Sequence, residues 1–353
     1  MSNLLSCRES DYNASLPVFK TPEIIDEYYI TKDKEVLFNR GRRRYLFEEI
    51  LSDKGECEID LNYGYDATAA PARRRHDQLD VLLRWIMRHA AAAAGLDLKT
   101  ICRGASIVTR EETLMRIACT PYDKDYGWVI SAIRFKDVIF LCEHIDDSKL
   151  PSEEKQKAYW RHKFAQAVTV NQIGDKPAIS ERMDDKEEFG VIVKGQIGDD
   201  PNGIKLLFTG NVGCVQEETD KYVELKTQYE SLKGKNWSGK QMKWWLQSTL
   251  LNIDGIIVGL RDKQGVVRHV HRVKVANIST EQHHWNGGVI LSFLQSSLEE
   301  IQKVMAKIPE LHYVLIENIP SEDYLKFHEV THQTQYAFLK SEFIQRFSAE
   351  KVR

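Results

Sequence analysis

Leu206-Leu-Phe-Thr-Gly-Asn-Val-Gly213 and, after a short acidic loop, Tyr222-Val-Glu-Leu-Lys-Thr227 follow each other in the middle of the chain and decide how it folds there. Apolar, β-branched and aromatic residues predict strands over 205–215 and 222–228. In the second, Glu224 and Lys226 are two apart, so they share one face while Leu225 points to the other. Metal-dependent nucleases use a Glu-x-Lys strand of this kind after a strand carrying an acidic residue. The carboxylates hold Mg²⁺ and the lysine orients or activates the attacking water. Alone the pattern has little specificity, because alternating charges on a solvated strand produce it equally well.

Working outward, the spacing predicts a helix over 73–94, on Leu79, Leu82, Leu83, Ile86 and Met87, with Gly95 as its stop. A hairpin over 127–143 turns near Lys136-Asp137, an amphipathic helix covers 152–170, and a strand covers 189–197. Beyond the central pair come a helix over 239–250, strands over 253–260 and 266–275 joined by a turn at 262–265, a long helix over 289–307 and two short closing elements. Strands and helices alternate in mixed order without an internal repeat. That predicts an α+β (mixed α/β) fold in one domain over 1–353. Its N-terminal part with the first helix runs over 1–95, the sheet core and closing helices over 96–340, and a tail over 341–353.

Composition narrows the function. The 353 residues carry 49 Lys+Arg against 52 Asp+Glu, a net charge of −3, which excludes a wholesale basic nucleic-acid binder but not local basic patches. No stretch approaches the ~18 to 20 uncharged apolar residues of a membrane helix. The first residues, with Arg8, Glu9 and Asp11, do not read as a signal peptide. Six cysteines without a CxxC pair argue against structural zinc and a disulfide framework, and for the cytosol or nucleus. His269 and His271 share a strand face, which reads as solvated rather than as a metal pair. Adjacent Trp244 and Trp245 cannot both face one pocket, so at least one is core. Lys226, Lys233, Lys235 and Lys240 are candidate contacts to an RNA backbone.

The chain resembles the DXO-type decapping exoribonucleases, which remove incomplete or non-canonical caps from RNA five-prime ends. The similar segments run nearly end to end: Ile59-Asp-Leu-Asn-Tyr-Gly-Tyr-Asp66, Leu79-Asp-Val-Leu-Leu-Arg-Trp85, Thr120-Pro-Tyr-Asp123 with Gly127-Trp128, and Ala158-Tyr-Trp-Arg-His-Lys-Phe164. They continue with Leu206-Leu-Phe-Thr-Gly210, Tyr222-Val-Glu-Leu-Lys-Thr227, Lys243-Trp-Trp-Leu-Gln247 and Tyr336-Ala-Phe-Leu339. The resemblance implies a nuclease-type core of two β-sheets with surrounding helices.

The departures from the family pattern bear on activity. Where the family's helix ends in a metal-site glutamate, this chain has Ala165. Where the family's strand reads Gly-Glu-Val-Asp, it has Gly210-Asn-Val-Gly213, so Asn211 and Gly213 stand at two further carboxylate positions. The family's substrate-binding Arg-Gly falls at Glu111-Glu112. An Arg103-Gly104 pair lies too early, and Arg110 fits only with a one-residue shift. Glu224, Lys226 and Gln247 remain. Mg²⁺ needs about six oxygen ligands, and losing one preorganised charged group costs about 100- to 1000-fold in rate. The resemblance therefore implies a catalytically inactive member with no cofactor, acting by binding. Its pattern is similar to that of an inactive germline member, which implies a nuclear role in piRNA-source transcription with Rhino and Deadlock as protein partners. The competing expectation is an active nuclease whose ligands are displaced to Glu217, Glu218 or Asp220. A third is a scaffold whose pocket binds nothing.

Overall fold

Val191, Leu206 and Phe208 enter one apolar cluster while Ile192 and Leu207 enter another, the period-two alternation of a sheet buried on both faces. The structure, a computed structural model, describes residues 4–31, 33–40, 43–66, 79–93, 95–144, 152–181, 188–233, 235–282, 284–330 and 335–348. Two large sheets form a mixed α+β architecture, as expected.

The ten-stranded sheet runs from an edge at Leu4–Ser6 through Tyr324–Val330, Tyr313–Asn318, Trp128–Phe135, Val138–His144, Ile107–Arg110, Ile204–Asn211, Glu188–Ile197 and Phe19–Ile30 to Val36–Leu37. Ile107–Arg110 is parallel to both its neighbours, and the other pairings are antiparallel. The seven-stranded sheet follows the order Glu56–Asp60, Val266–Lys274, Gly255–Arg261, Lys221–Tyr229, Cys214–Gln216, Tyr45–Leu46 and Thr169–Val170.

One cluster lies between the sheets. It joins Leu206 and Phe208 to Ile256 and Val258, with Leu246, Leu250, Phe293 and Leu294 from the helices Lys235–Leu250 and Gly287–Lys307. Asn286 caps the latter, accepting from the amides of Gly288 and Val289 at 2.7 and 3.2 Å. A second cluster covers the outer face of the ten-stranded sheet with helix Asp80–Ala92. A third covers the outer face of the seven-stranded sheet: Val223, Leu225 and Ile257 pack against Trp160 and Phe164 of helix Ser152–Val168.

Three expectations shift. The strand read over 205–215 is two strands in different sheets, Ile204–Asn211 and Cys214–Gln216, and the chain changes sheet at Val212-Gly213. Three elements, not two, close the chain after the long helix: Tyr313–Asn318, Tyr324–Val330 and helix Ser341–Ser348. The described part of the first helix begins at Asp80, and the Arg73–Arg75 stretch lies outside the described residues. The hairpin turns where expected, with positive φ at Lys136 and Asp137.

Candidate functional site

Strand Lys221–Tyr229 lies between Cys214–Gln216 and the parallel strand Gly255–Arg261, with Glu224 opposite Ile256 and Lys226 opposite Val258. Ile256 and Val258 belong to the cluster between the sheets, so Glu224 and Lys226 face inward and Leu225 outward. Lys226 Nζ lies 3.2 Å from Glu224 Oε1 and donates to Gln247 Oε1 at 2.6 Å. The three family residues that remain thus meet. Glu224 Oε1 also accepts from the Leu225 amide at 3.2 Å, while its Oε2 is buried without a partner among the described residues.

The sequence did not show how close Glu111 comes to this pair. It opens helix Glu111–Cys119 after strand Ile107–Arg110 and is 1 % exposed, with Oε1 unpartnered among the described residues. Burial pushes its carboxyl well above the usual range, and the charges of Glu112 and Glu224 push it the same way; Lys226 and Arg110 oppose them. Its neighbour Glu112 holds Arg110 at 3.0 Å. Arg103 lies over the Trp85 ring at 5.8 Å, on the outer face of the ten-stranded sheet, while the charge of Arg110 reaches Glu111.

Around Tyr222, on the same strand face as Glu224, lies a second buried polar group. Glu27, 1 % exposed on Phe19–Ile30, accepts two bonds from Arg43 Nε at 3.0 and 2.9 Å and one from Tyr222 Oη at 2.7 Å. Arg43 Nη1 reaches Asp220 at 2.5 Å. Arg43 and Glu27 therefore form a buried ion pair.

The three positions where the resemblance implies carboxylates have different surroundings. Asn211 Oδ1 accepts from Tyr28 Oη at 2.9 Å, and Tyr28 belongs to the outer cluster of the ten-stranded sheet. Ala165 packs against the outer cluster of the seven-stranded sheet. A Cβ added at Gly213 would stand 2.5 Å from Leu225 Cγ and 2.8 Å from both Leu225 N and Val223 O. Asn211 is turned to Tyr28, whereas position 213 lies against the backbone on either side of Glu224, so the two do not share a strand face. The change of sheet at Val212-Gly213 is the cause.

Among the described residues, no group of three or more His, Cys, Asp or Glu could hold a metal ion. Of the displaced ligands considered, Asp220 is engaged by Arg43, and Glu217 and Glu218 are exposed in the loop after Gln216. Trp244 and Trp245 are both core, packed on Trp237 and Trp285 with ring centroids 4.9 and 5.5 Å apart. His269 is exposed and stacks on His271 at 6.0 Å. Among the candidate RNA contacts, Lys240 donates to Gln228 at 2.8 Å and Lys233 is exposed. The side chain of Lys235 lies outside the described residues.

A family model described as RAI1 like PD-(D/E)XK nuclease matches residues 20–344. The chain belongs to this family. Among its relatives, the Caenorhabditis elegans protein "Decapping nuclease dom-3" is 30% identical over 301 residues, which is 82% of this chain and 75% of that one. The Rattus norvegicus "Decapping and exoribonuclease protein" is 24% identical, over 86% of this chain and 80% of that one. A crystal structure of Candida albicans Rai1 in complex with pU5-Mn2+ shares the fold, with a TM-score of 0.78, 17% identity and 99% of each chain covered. In this fold the Glu-x-Lys strand belongs to the seven-stranded sheet and turns Glu224 and Lys226 toward the space between the two sheets.

Proposed function

We propose that this RAI1-like protein lacks nuclease chemistry and acts by binding. The observation that carries the proposal is the make-up of the inner pocket: Glu224 is paired with its own Lys226, and the second buried carboxylate, Glu111, occupies the place where the resemblance implies the substrate-binding arginine. A divalent ion stabilising a phosphoryl transfer needs several anionic ligands, and a substrate phosphate needs a cationic cradle. Lys226 is left to serve both Glu224 and Gln247.

Within the family, the pattern is similar to that of the inactive insect germline protein Cutoff. On that similarity we place the chain in the nucleus, protecting nascent piRNA-source RNA from termination and five-prime decay, with Rhino and Deadlock as partners. One observation favours a second reading, an active nuclease with displaced ligands: Glu111 brings a new carboxylate toward Glu224.

The test is an assay of five-prime-monophosphate, triphosphate and capped RNAs with Mg²⁺ and with Mn²⁺. No product is expected. Metal-dependent cleavage that Glu224→Ala abolishes would establish the second reading instead, and loss on Glu111→Gln as well would identify the displaced ligand.

A further inference from the structure

On the outer face of the seven-stranded sheet, Gln156, Lys157 and Trp160 of helix Ser152–Val168 meet Tyr229, Arg261 and Lys263 around a cavity of about 330 Å³. Tyr229 is two and four residues from Thr227 and Leu225, so it shares Leu225's face, and Trp160 is in the outer cluster with Leu225. The sheet separates this cavity from Lys226. The cavity is lined by three cationic side chains and two aromatic ones, a combination that suits an anion attached to a flat ring.

Arg261 differs from the protein's other part-buried arginines. Arg43 is paired with Glu27 and Asp220, and Arg116 with Glu143 at 2.8 Å. Arg134 is bound to two backbone carbonyls. The Arg261 guanidinium lies 4.4 Å over the Trp160 ring centroid and 5.9 Å from that of Tyr229. Among the described residues its one hydrogen bond is from Nη1 to the Asp262 carbonyl at 3.2 Å, and Nε is buried with no partner. The adjacent Asp262 carboxylate is committed to its turn, accepting from the Val266 amide at 2.9 Å and lying 3.7 Å from Arg268. A guanidinium has five donors in a fixed fork matched to phosphate oxygens, and leaving them unpaired in a part-buried site is costly. Burial lowers the pKa of Arg261 from its ordinary value and outweighs the opposing effect of the neighbouring Asp262 charge.

We propose that this cavity binds a nucleotide through its phosphate, with Arg261, Lys157 and Lys263 holding the anion and the base stacking against the guanidinium and Tyr229. Bases stack on arginine planes and aromatic rings with little sequence preference. The same chemistry is offered by a free mononucleotide and by one nucleotide of an RNA strand. The inference stands apart from the proposed loss of nuclease chemistry, since no residue of the inner pocket takes part.

The test is calorimetric titration of the full chain with inorganic phosphate, uridine monophosphate and a five-prime-hydroxyl oligouridylate. Saturable binding of uridine monophosphate is expected. Lys263 is exposed, so Lys263→Glu leaves the fold intact, and it should weaken binding about tenfold or more through loss of a charge-assisted contact. Arg261→Lys keeps the charge but not the fork, and should weaken it by about tenfold. Lys226→Ala on the other face should change it by less than about twofold. Tighter binding of the oligouridylate supports the site with RNA as source, and tighter binding of the mononucleotide supports it with a free ligand. Inorganic phosphate binding as tightly as the mononucleotide overturns the nucleotide assignment. Absence of saturable binding by all three probes overturns the site itself, as does sensitivity to Lys226→Ala with indifference to Lys263→Glu.

Discussion

Glu111 and Glu224 lie in the same buried interior, each with one carboxylate oxygen that no donor among the described residues reaches. Lys226 is positioned to attract both. Burial first, and the charges of Glu112 and Glu224 after it, push the Glu111 carboxyl well above the usual range.

Stability should therefore fall as pH rises. A carboxyl whose folded pKa lies above its unfolded value binds its proton more tightly when folded. Below the unfolded pKa both states are protonated and the group has no effect. Above it the unfolded chain ionises first, so folding becomes progressively less favourable until the folded pKa is passed. Glu111→Gln removes this dependence and should raise stability near pH 8 by about 1–3 kcal/mol, the scale of a buried unsatisfied polar group. Melting temperatures of both proteins between pH 5 and 8 check it. Curves that stay parallel over the range would show that Glu111 does not titrate differently on folding.

The Glu27–Arg43 pair carries a prediction of opposite sign. Both side chains are almost fully shielded and joined by two donor nitrogens. Glu27→Ala leaves Arg43 buried with only the half-exposed Asp220 beside it, and should cost about 3–5 kcal/mol. Arg40, exposed and 3.6 Å from Glu27, provides the control, and Arg40→Ala should change stability by at most about 1 kcal/mol. Urea unfolding of the three proteins gives the comparison.

RNA affinity, if carried by Lys226, Lys233, Lys235 and Lys240, should be electrostatic and independent of metal. Binding of a five-prime-phosphorylated oligonucleotide should weaken linearly in log salt, with a slope of roughly 0.7 per phosphate neutralised on a single strand. It should be unchanged by chelator. Affinity that disappears with chelator would show that a metal site persists and that more ligands remain than Glu224 alone.

How much of this was legible in the sequence depended on range. The Glu-x-Lys face, the hairpin turn at Lys136-Asp137 and the helix that carries Gln247 follow local patterns, and all three formed. The strand Phe19–Ile30 was missed because Pro22, Glu23, Asp26 and Glu27 break its apolar alternation, and Glu27 is tolerable inside only because Arg43 and Tyr222 meet it there. Glu111 could be read as a substituted arginine position, but its approach to Glu224 depends on how two sheets stack, which no local spacing encodes. The split of 205–215 between two sheets was hidden for the same reason. Val212 and Val215 read as strand residues, and nothing beside them marks the crossing except Gly213.

That crossing decides what reconstruction of the family's carboxylates would do. If side-chain loss were the whole difference, the combined Ala165→Glu, Asn211→Glu and Gly213→Asp protein would bind Mn²⁺ and gain stability from it. The structure argues otherwise. A side chain at 213 meets Leu225 Cγ at 2.5 Å and two backbone atoms at 2.8 Å, so the strand pair must shift to admit it. Position 211 is turned toward Tyr28, and position 165 packs against the outer cluster of the seven-stranded sheet. Gly213→Asp alone should therefore lower stability by about 1–3 kcal/mol through overpacking. The triple protein should melt lower than the starting protein by the same amount with or without Mn²⁺. The measurement is its melting temperature at several Mn²⁺ concentrations beside that of the unsubstituted chain. A selective upward shift with metal would show that the backbone at 211–213 can move to bring the three carboxylates to Glu224, and that the difference the resemblance implies lies in side chains alone. Equal curves would place it in the backbone path between the two sheets.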